Sequence, residues 1–338
     1  MDHIFPFARF WPFYVIFSVG VAAVLFVSLR RFNGKPHEVS IREATIAALG
    51  WFGFALLFNV VLYFYTKMYL ESEMALVVAR NTTPEALARS TALEFLSGYL
   101  VEKSLAVDNL FVFLVIFRFF SVGAAYQHRV LFYGLFGAIA LRALFIGMGS
   151  MIMDIEWVII GFGIFLIWQG ISVLRGKEPE IHPEKNRVLR ILNRFLPVSK
   201  TFDGQRFFTR EGSKLLVTPL FVTLVFVEIT DIMFAFDSVP AIFGLTKEPL
   251  VVFTSNIFAV IDLRALYFLL AAFVSRFHYL SVGLSFVLIF IGTKMAFLDP
   301  MLGDKLPTEI SLLIVLGIIV GSIVLSLVKP PQKEGTTA

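Results

Sequence analysis

WPFYVIFSVGVAAVLFVSL (Trp11–Leu29) and SLLIVLGIIVGSIVLSLV (Ser311–Val328) decide the fold, because neither stretch contains a charged side chain. At about 1.5 Å of rise per residue, each is long enough for a helix to cross a hydrocarbon core about 30 Å thick. Comparable runs recur along the chain, and 58% of its 338 residues are hydrophobic against 16% charged. Soluble domains average about 45–50% apolar and about 25% charged. A large soluble helical protein also buries apolar helices, but it seldom repeats such runs from end to end. The chain reads as an all-α polytopic membrane protein.

Working outward from those two runs gives nine spans, at about 11–29, 44–65, 92–117, 130–150, 155–174, 215–243, 250–273, 280–298 and 309–328. The loops carry an uneven charge. Nineteen Lys and Arg fall on the side reached after span 1 and seven on the other, counting Lys294 near the end of span 8 with the latter, while Lys103, Arg142 and Arg264 lie deeper within spans. The positive-inside rule places the N-terminus outside and the C-terminus inside. The pI near 9.2 therefore comes from loops on one side, which argues against a nucleic-acid partner. Within the inner loop 175–214, Val188, Leu189, Ile191, Leu192, Phe195 and Leu196 stand at helical spacing among arginines. That segment is either a basic amphipathic helix on the anionic inner leaflet or a packed connector. The first ten residues lack the basic flank of a signal peptide, so span 1 is expected to stay in the membrane. The chain has no cysteine, which excludes disulfides, thiolate metal ligands and cysteine nucleophiles.

EKSLAVDN (Glu102–Asn109) in span 3 and DIMFAFDS (Asp231–Ser238) in span 6 share one spacing, an acid six residues before an Asp. LRALF (Leu141–Phe145) and LRALY (Leu263–Tyr267) follow in the same order in spans 4 and 7. Spans 3–5 and 6–8 thus read as duplicates, and three spans per unit invert the second copy, a common plan of secondary transporters. The expected division is residues 1–91 for two peripheral spans and an outer loop, and 92–174 for the first repeat. The basic cytoplasmic loop takes 175–214, the second repeat 215–298, and the last span with its cytoplasmic tail 299–338.

Leaving aside the first two residues of each span, seven carboxylates fall inside: Glu94, Glu102, Asp108, Glu228, Asp231, Asp237 and Asp262. Three basic residues at that depth cannot neutralise them all. An unpaired carboxylate at the bilayer centre costs at least about 2.5–3.5 kcal/mol, so protons or a cation must cover the remainder. Carboxylates with Asn109, Ser238 and freed backbone carbonyls form an all-oxygen set suited to Mg²⁺, Ca²⁺ or Mn²⁺. Glu102 shares a helix face with Asn109, and Asp231 with Ser238, while Asp108 and Asp237 lie about 120° away. One helix cannot surround an ion with this set, whereas two antiparallel copies could. Pro240 removes a backbone hydrogen bond and is expected to break span 6 beside Asp237. Arg142, Arg264 and Lys103 read as internal counter-charges. Glu102, Glu228 and Asp231 could be ligands, proton carriers or their partners. Glu94, near a span end, is expected to meet water.

At these residues the chain resembles the TerC family of membrane proteins, and its Alx-type branch most closely. The matching strings are EKSLAVDNLFVF (Glu102–Phe113), YQHRVLF (Tyr126–Phe132), FDGQRFFTR (Phe202–Arg210), EITDIMFAFDSVPA (Glu228–Ala241) and TSNIFAVIDLRALYFLL (Thr254–Leu270). The resemblance implies a bacterial inner-membrane protein that exports Mn²⁺ through acids of the two repeated helices; with the loop charge, its N-terminus is then periplasmic and its C-terminus cytoplasmic. Those acids map to Asp108 with Asn109 and Asp237 with Ser238, with Glu102, Glu228 and Asp231 nearby. Asp262 departs from the glycine expected there, and could add an ion or proton site or pair with an arginine.

The function expected is secondary export of a hard divalent cation, Mn²⁺ before Ca²⁺ or Mg²⁺, in exchange for protons. The chain has no GxxxxGK[ST] loop for an ATP motor and no nucleophile–base or HExxH pattern for an enzyme. The alternative is a membrane scaffold that supports insertion or metalation of exported proteins, or tellurite and stress resistance, with membrane-protein partners.

Overall fold

A capping-box sequence opens α2 (Ile41–Ser72): the Glu43 amide donates to Ser40 Oγ at 3.2 Å. Pro84, Pro219 and Pro249 each stand first in their helices, α4 (Pro84–Phe119), α7 (Pro219–Phe243) and α8 (Pro249–Ile261), where a missing N–H leaves no bond unmade. The remaining helices are α1 (Phe7–Phe32), α3 (Met74–Ala79), α5 (Ala124–Ile152), α6 (Glu156–Leu174), α9 (Leu263–Phe273), α10 (Leu280–Thr293), α11 (Asp299–Leu302) and α12 (Thr308–Val328). A π-helical turn, Lys294–Leu298, continues α10 into α11. The computed structural model describes residues 3–32, 39–152, 155–175, 197–199, 201–211, 214–273, 279–302 and 306–328. The amphipathic stretch at 188–196 lies outside the described residues.

Among the described residues, seven helical segments are long and apolar enough to cross a membrane, in α1, α2, α5, α6, α7, α10 with its continuation, and α12. The pair α8 and α9 makes an eighth if taken as one bent span. The third expected span coincides with α4, a 36-residue helix. Arg89, Glu94, Glu102, Lys103 and Asp108 load that helix with charge. Ile16 and Val27 on α1, Val61 and Phe64 on α2, and Leu313 and Leu327 on α12 are exposed apolar side chains. Lipid tails would accept them. Every residue of α8 from Leu250 to Ile261 is buried instead, so its polar groups must find partners inside the protein.

The core is a cross-packed set. α4 lies against α8 and α7, α5 against α7 and α8, and α6 runs along α10. Gly163 of α6 and Gly292 of α10 face one another, and a Cβ on either would strike the other's carbonyl. Two backbones meet there that no larger residue would allow to approach.

Two boundaries differ from expectation. Span 6 is not broken at Pro240: α7 continues through it to Phe243, because the proline stands in the last turn and sacrifices a single internal bond. The break falls in span 7 instead, where α8 and α9 meet at Asp262 with a bend of 42°. Ahead of α7, an antiparallel hairpin pairs β1 (Phe208–Glu211) with β2 (Lys214–Val217), in register Phe208 with Val217 and Glu211 with Lys214. Span 6 therefore starts at Pro219 rather than at residue 215. Thr218 ties hairpin to helix, its Oγ1 donating to the Arg206 carbonyl at 2.7 Å.

Candidate functional site

Arg142, fully buried on α5, gathers side chains from three other helices. Its Nη1 donates to Glu102 Oε1 of α4, to Asn256 Oδ1 of α8 at 3.0 Å and to Ser238 Oγ of α7 at 3.4 Å. Its Nη2 donates to Asp231 Oδ1 of α7 at 3.3 Å. A planar guanidinium with five donors suits such a junction. Each acid spends only one oxygen: Glu102 Oε2, Asp231 Oδ2, Asn256 Nδ2 and Arg142 Nε are buried without a hydrogen-bond partner. Buried polar atoms are satisfied in the great majority of cases. Four orphans in one cluster are what a site that takes up water or an ion presents.

Glu228 stands one turn before Asp231 on the same helix and faces α5. Gly137 makes room for it, since a Cβ there would collide with the Glu228 carboxylate, and Gly134 would bring a Cβ within 3.6 Å of Oε1. Glu228 Oε2 also lacks a partner. Beside these residues a small, partly open cavity of about 20 Å³ is lined by Asp231, Gly134, Ala138, Leu263 and Arg264. Arg264, half-buried, holds its guanidinium 6.0 Å from the Phe132 ring centre and interacts electrostatically with Glu43 of α2.

The other internal charges are distributed around this cluster. Lys103 of α4 donates to Asp262 Oδ2 and to Tyr99 Oη, the latter at 2.8 Å. Asp262 thus pairs with a lysine in place of the arginine offered as one alternative to an ion or proton site. Glu94 does more than meet water: it accepts from Ser90 Oγ at 3.1 Å and from Thr246 Oγ1 at 2.5 Å. Lys294, buried in the π turn, donates to the Gly244 carbonyl and to Asp299, each at 2.9 Å.

Of the residues expected at the site, the structure brings Glu102, Asp231 and Ser238 together around Arg142, with Glu228 one turn away. Asn109 is buried in α4. Asp108 and Asp237 lie within α4 and α7, and their side chains fall outside the described residues. Among the described residues no group of three or more His, Asp or Glu is close enough to hold a metal ion, and Arg142 bonds both central acids, Glu102 and Asp231. Asn256 and Lys294 were not singled out from the sequence. Asn256 does lie in the string Thr254–Leu270, and Lys294 interrupts an otherwise apolar span, so each carried a signal.

A family model described as the integral membrane protein TerC family matches residues 87–334. A Myxococcus xanthus protein described as "uncharacterized membrane protein STKORF319" is 42% identical over 320 residues, covering 94% of this chain and 92% of the relative. A "putative membrane-bound redox modulator Alx" of Escherichia coli K12 is 40% identical over 312 residues, 92% of each chain. An uncharacterized membrane protein of Rickettsia felis is 32% identical over 317 residues, covering 94% of this chain and 97% of the relative. No solved structure matches the chain.

Proposed function

The chain belongs to the integral membrane protein TerC family, and from that premise we propose that it is a secondary transporter exporting a hard divalent cation, Mn²⁺ foremost, from the cytoplasm in exchange for protons. One observation carries the reading. Glu102 and Asp231, from helices α4 and α7, converge on one buried arginine, each with an oxygen left free. An all-oxygen set built from Glu102, Asp231, Glu228, Asn256 and Ser238 is hard-cation chemistry. Asp108 with Asn109 and Asp237 with Ser238 extend that set along the same two helices.

Charge accounting supports a divalent ion. With Glu102, Asp231 and Glu228 all ionised against Arg142, a cation of charge two would make the cluster neutral, and without it protons must do so. Neutrality matters at this depth because an uncompensated charge is expensive in a low dielectric. The inverted repeat is supported by matching contacts: α4 packs on α8 as α7 packs on α5, and Gly163 meets Gly292 at the α6–α10 crossing. We place the protein in the bacterial inner membrane from its family membership, with its N-terminus periplasmic on the loop charge. The redox role in the relatives' descriptions cannot run through thiols here, since the chain has no cysteine; export of a redox-active metal would connect the two.

The test is purified protein in liposomes enclosing a Mn²⁺-quenched dye. Wild type quenches the dye in a pH-dependent manner, and Asp231→Asn, Glu102→Gln, Asp108→Asn and Asp237→Asn each slow quenching at least tenfold. Wild-type rates in all four variants would refute the assignment.

A further inference from the structure

Asp262 stands apart from the Arg142 cluster. It caps α8 at the 42° bend into α9, and the first bond of α9 runs from the Leu266 amide to its carbonyl at 3.0 Å. Its side chain is wholly buried, yet only Oδ2 has a donor, the Lys103 ammonium, and Oδ1 has none. The charged and titratable groups around the bend come from each neighbouring helix. They are Lys103 and Tyr99 of α4, Glu43 of α2 on the Arg264 side, Arg142 of α5 through Asn256, and Asp231 of α7 across the cavity that Arg264 lines.

Two helices serve both clusters. Glu102 and Lys103 are consecutive on α4, about 100° apart around its axis, so one reaches Arg142 and the other reaches Asp262. On α8, Asn256 reaches Arg142 and Asp262, at its end, reaches Lys103. A shift of α4 along α8 that loosens the Arg142 cluster must therefore also separate Lys103 from Asp262.

Resting on the transport reading above, we propose that Asp262 is a proton-binding site separate from the ion site, and that it carries the proton exchanged for the cation. With Lys103 in place the carboxylate is ionised and paired. When a cation engages Glu102 and Asp231 and α4 moves, Lys103 withdraws and leaves a buried carboxylate at a helix break with neither oxygen partnered. That group cannot stay charged at such depth, so it binds one proton from the outer side as the cation departs there. The return of Lys103, as the emptied site turns back inward, expels the proton to the cytoplasmic side, so proton and cation cross in opposite directions. The 42° bend supplies the place where α8 and α9 can hinge while this happens.

The experiment uses the full chain in liposomes, with Mn²⁺ as the probe and two dyes, one reporting Mn²⁺ and one reporting internal pH. In Asp262→Asn, Mn²⁺ is expected to run down its own gradient within about threefold of the wild-type rate. Mn²⁺-driven proton movement should fall at least tenfold. Asp262→Ser serves if the asparagine variant does not fold, and Asp262→Glu, which keeps a titratable group, should retain the coupling. Undiminished Mn²⁺-driven proton movement in the neutral variants overturns the proposal. If wild type moves no Mn²⁺, the transport reading fails and the coupling role with it. Infrared difference spectra on acidification then judge Asp262 alone. A protonated-carboxyl band that shifts in Asp262→Glu supports proton binding there, and its absence from wild type overturns it.

Discussion

Arg142→Met tests the organisation of the site most directly, because methionine fills similar volume and removes the charge between two acids. Breaking a buried ion pair by deleting one partner costs about 3–5 kcal/mol, since the surviving charge is left uncompensated. Arg142 is the partner of two such acids, and it also supplies donors to Asn256 and Ser238. A loss of about 4 kcal/mol is thus a lower-end expectation, close to a thousandfold in the folded-to-unfolded ratio at about 1.4 kcal/mol per decade. Against a typical total of about 5–15 kcal/mol, that is severe. The sign with pH is fixed by the acids: protonating Glu102 and Asp231 removes the uncompensated charge, so the deficit must shrink as pH falls. The triple variant Glu102→Gln, Asp231→Asn, Arg142→Met leaves no charge at the cluster and should regain most of the stability. Thermal melts of the purified proteins, followed by size-exclusion chromatography at neutral and acidic pH, measure all three effects. A single variant as stable as wild type, or a triple variant no better than the single, would show that Arg142 does not neutralise these acids.

Two further outcomes follow from particular residues. Gly137→Ala places a methyl where the Glu228 carboxylate lies. Overpacking of about 1–3 kcal/mol is offset by about 1 kcal/mol of helix propensity, so the variant should fold with slightly reduced thermal stability while losing most Mn²⁺ flux. Unchanged flux would remove Glu228 from the route. A reporter fused at Lys185 should remain cytoplasmic, and its export would invert the proposed orientation.

The membrane character and most spans were legible because lipid allows few solutions. Runs such as Ser311–Val328 have to be helical, and their length is dictated by the bilayer. The acids at Glu102 and Asp231 were legible for the same reason, as charge where charge is costly. What stayed hidden was which partner each acid takes. Lys103 could have served Glu102, its neighbour in sequence; only the approach of α8 to α4 hands it to Asp262. Asn256 was hidden because a neutral amide in an apolar helix raises no electrostatic alarm until an arginine is found beside it. The break was assigned to Pro240 on backbone chemistry, but a proline in a last turn is tolerated, while an aspartate with an ammonium partner can end a helix without one.

The placement of the two arginines bears on how such a site would work. LRALF and LRALY put Arg142 and Arg264 at matching places, and if spans 3–5 and 6–8 are inverted copies, the two residues are equivalent by symmetry. Their surroundings are not. Arg142 joins acids of both copies in a closed cluster, whereas Arg264 lines a partly open cavity beside Asp231 and sits over Phe132. Matching sequence elements in unequal settings show that the two stretches are packed differently. A pair of inverted copies must do that if one face is to be closed while the other is open. Exchange of the halves would then carry Arg264 into contact with Glu102 and Asp231 and withdraw Arg142 to the cavity wall. The acids would keep one guanidinium throughout, and the cation would pass while that place is changing hands.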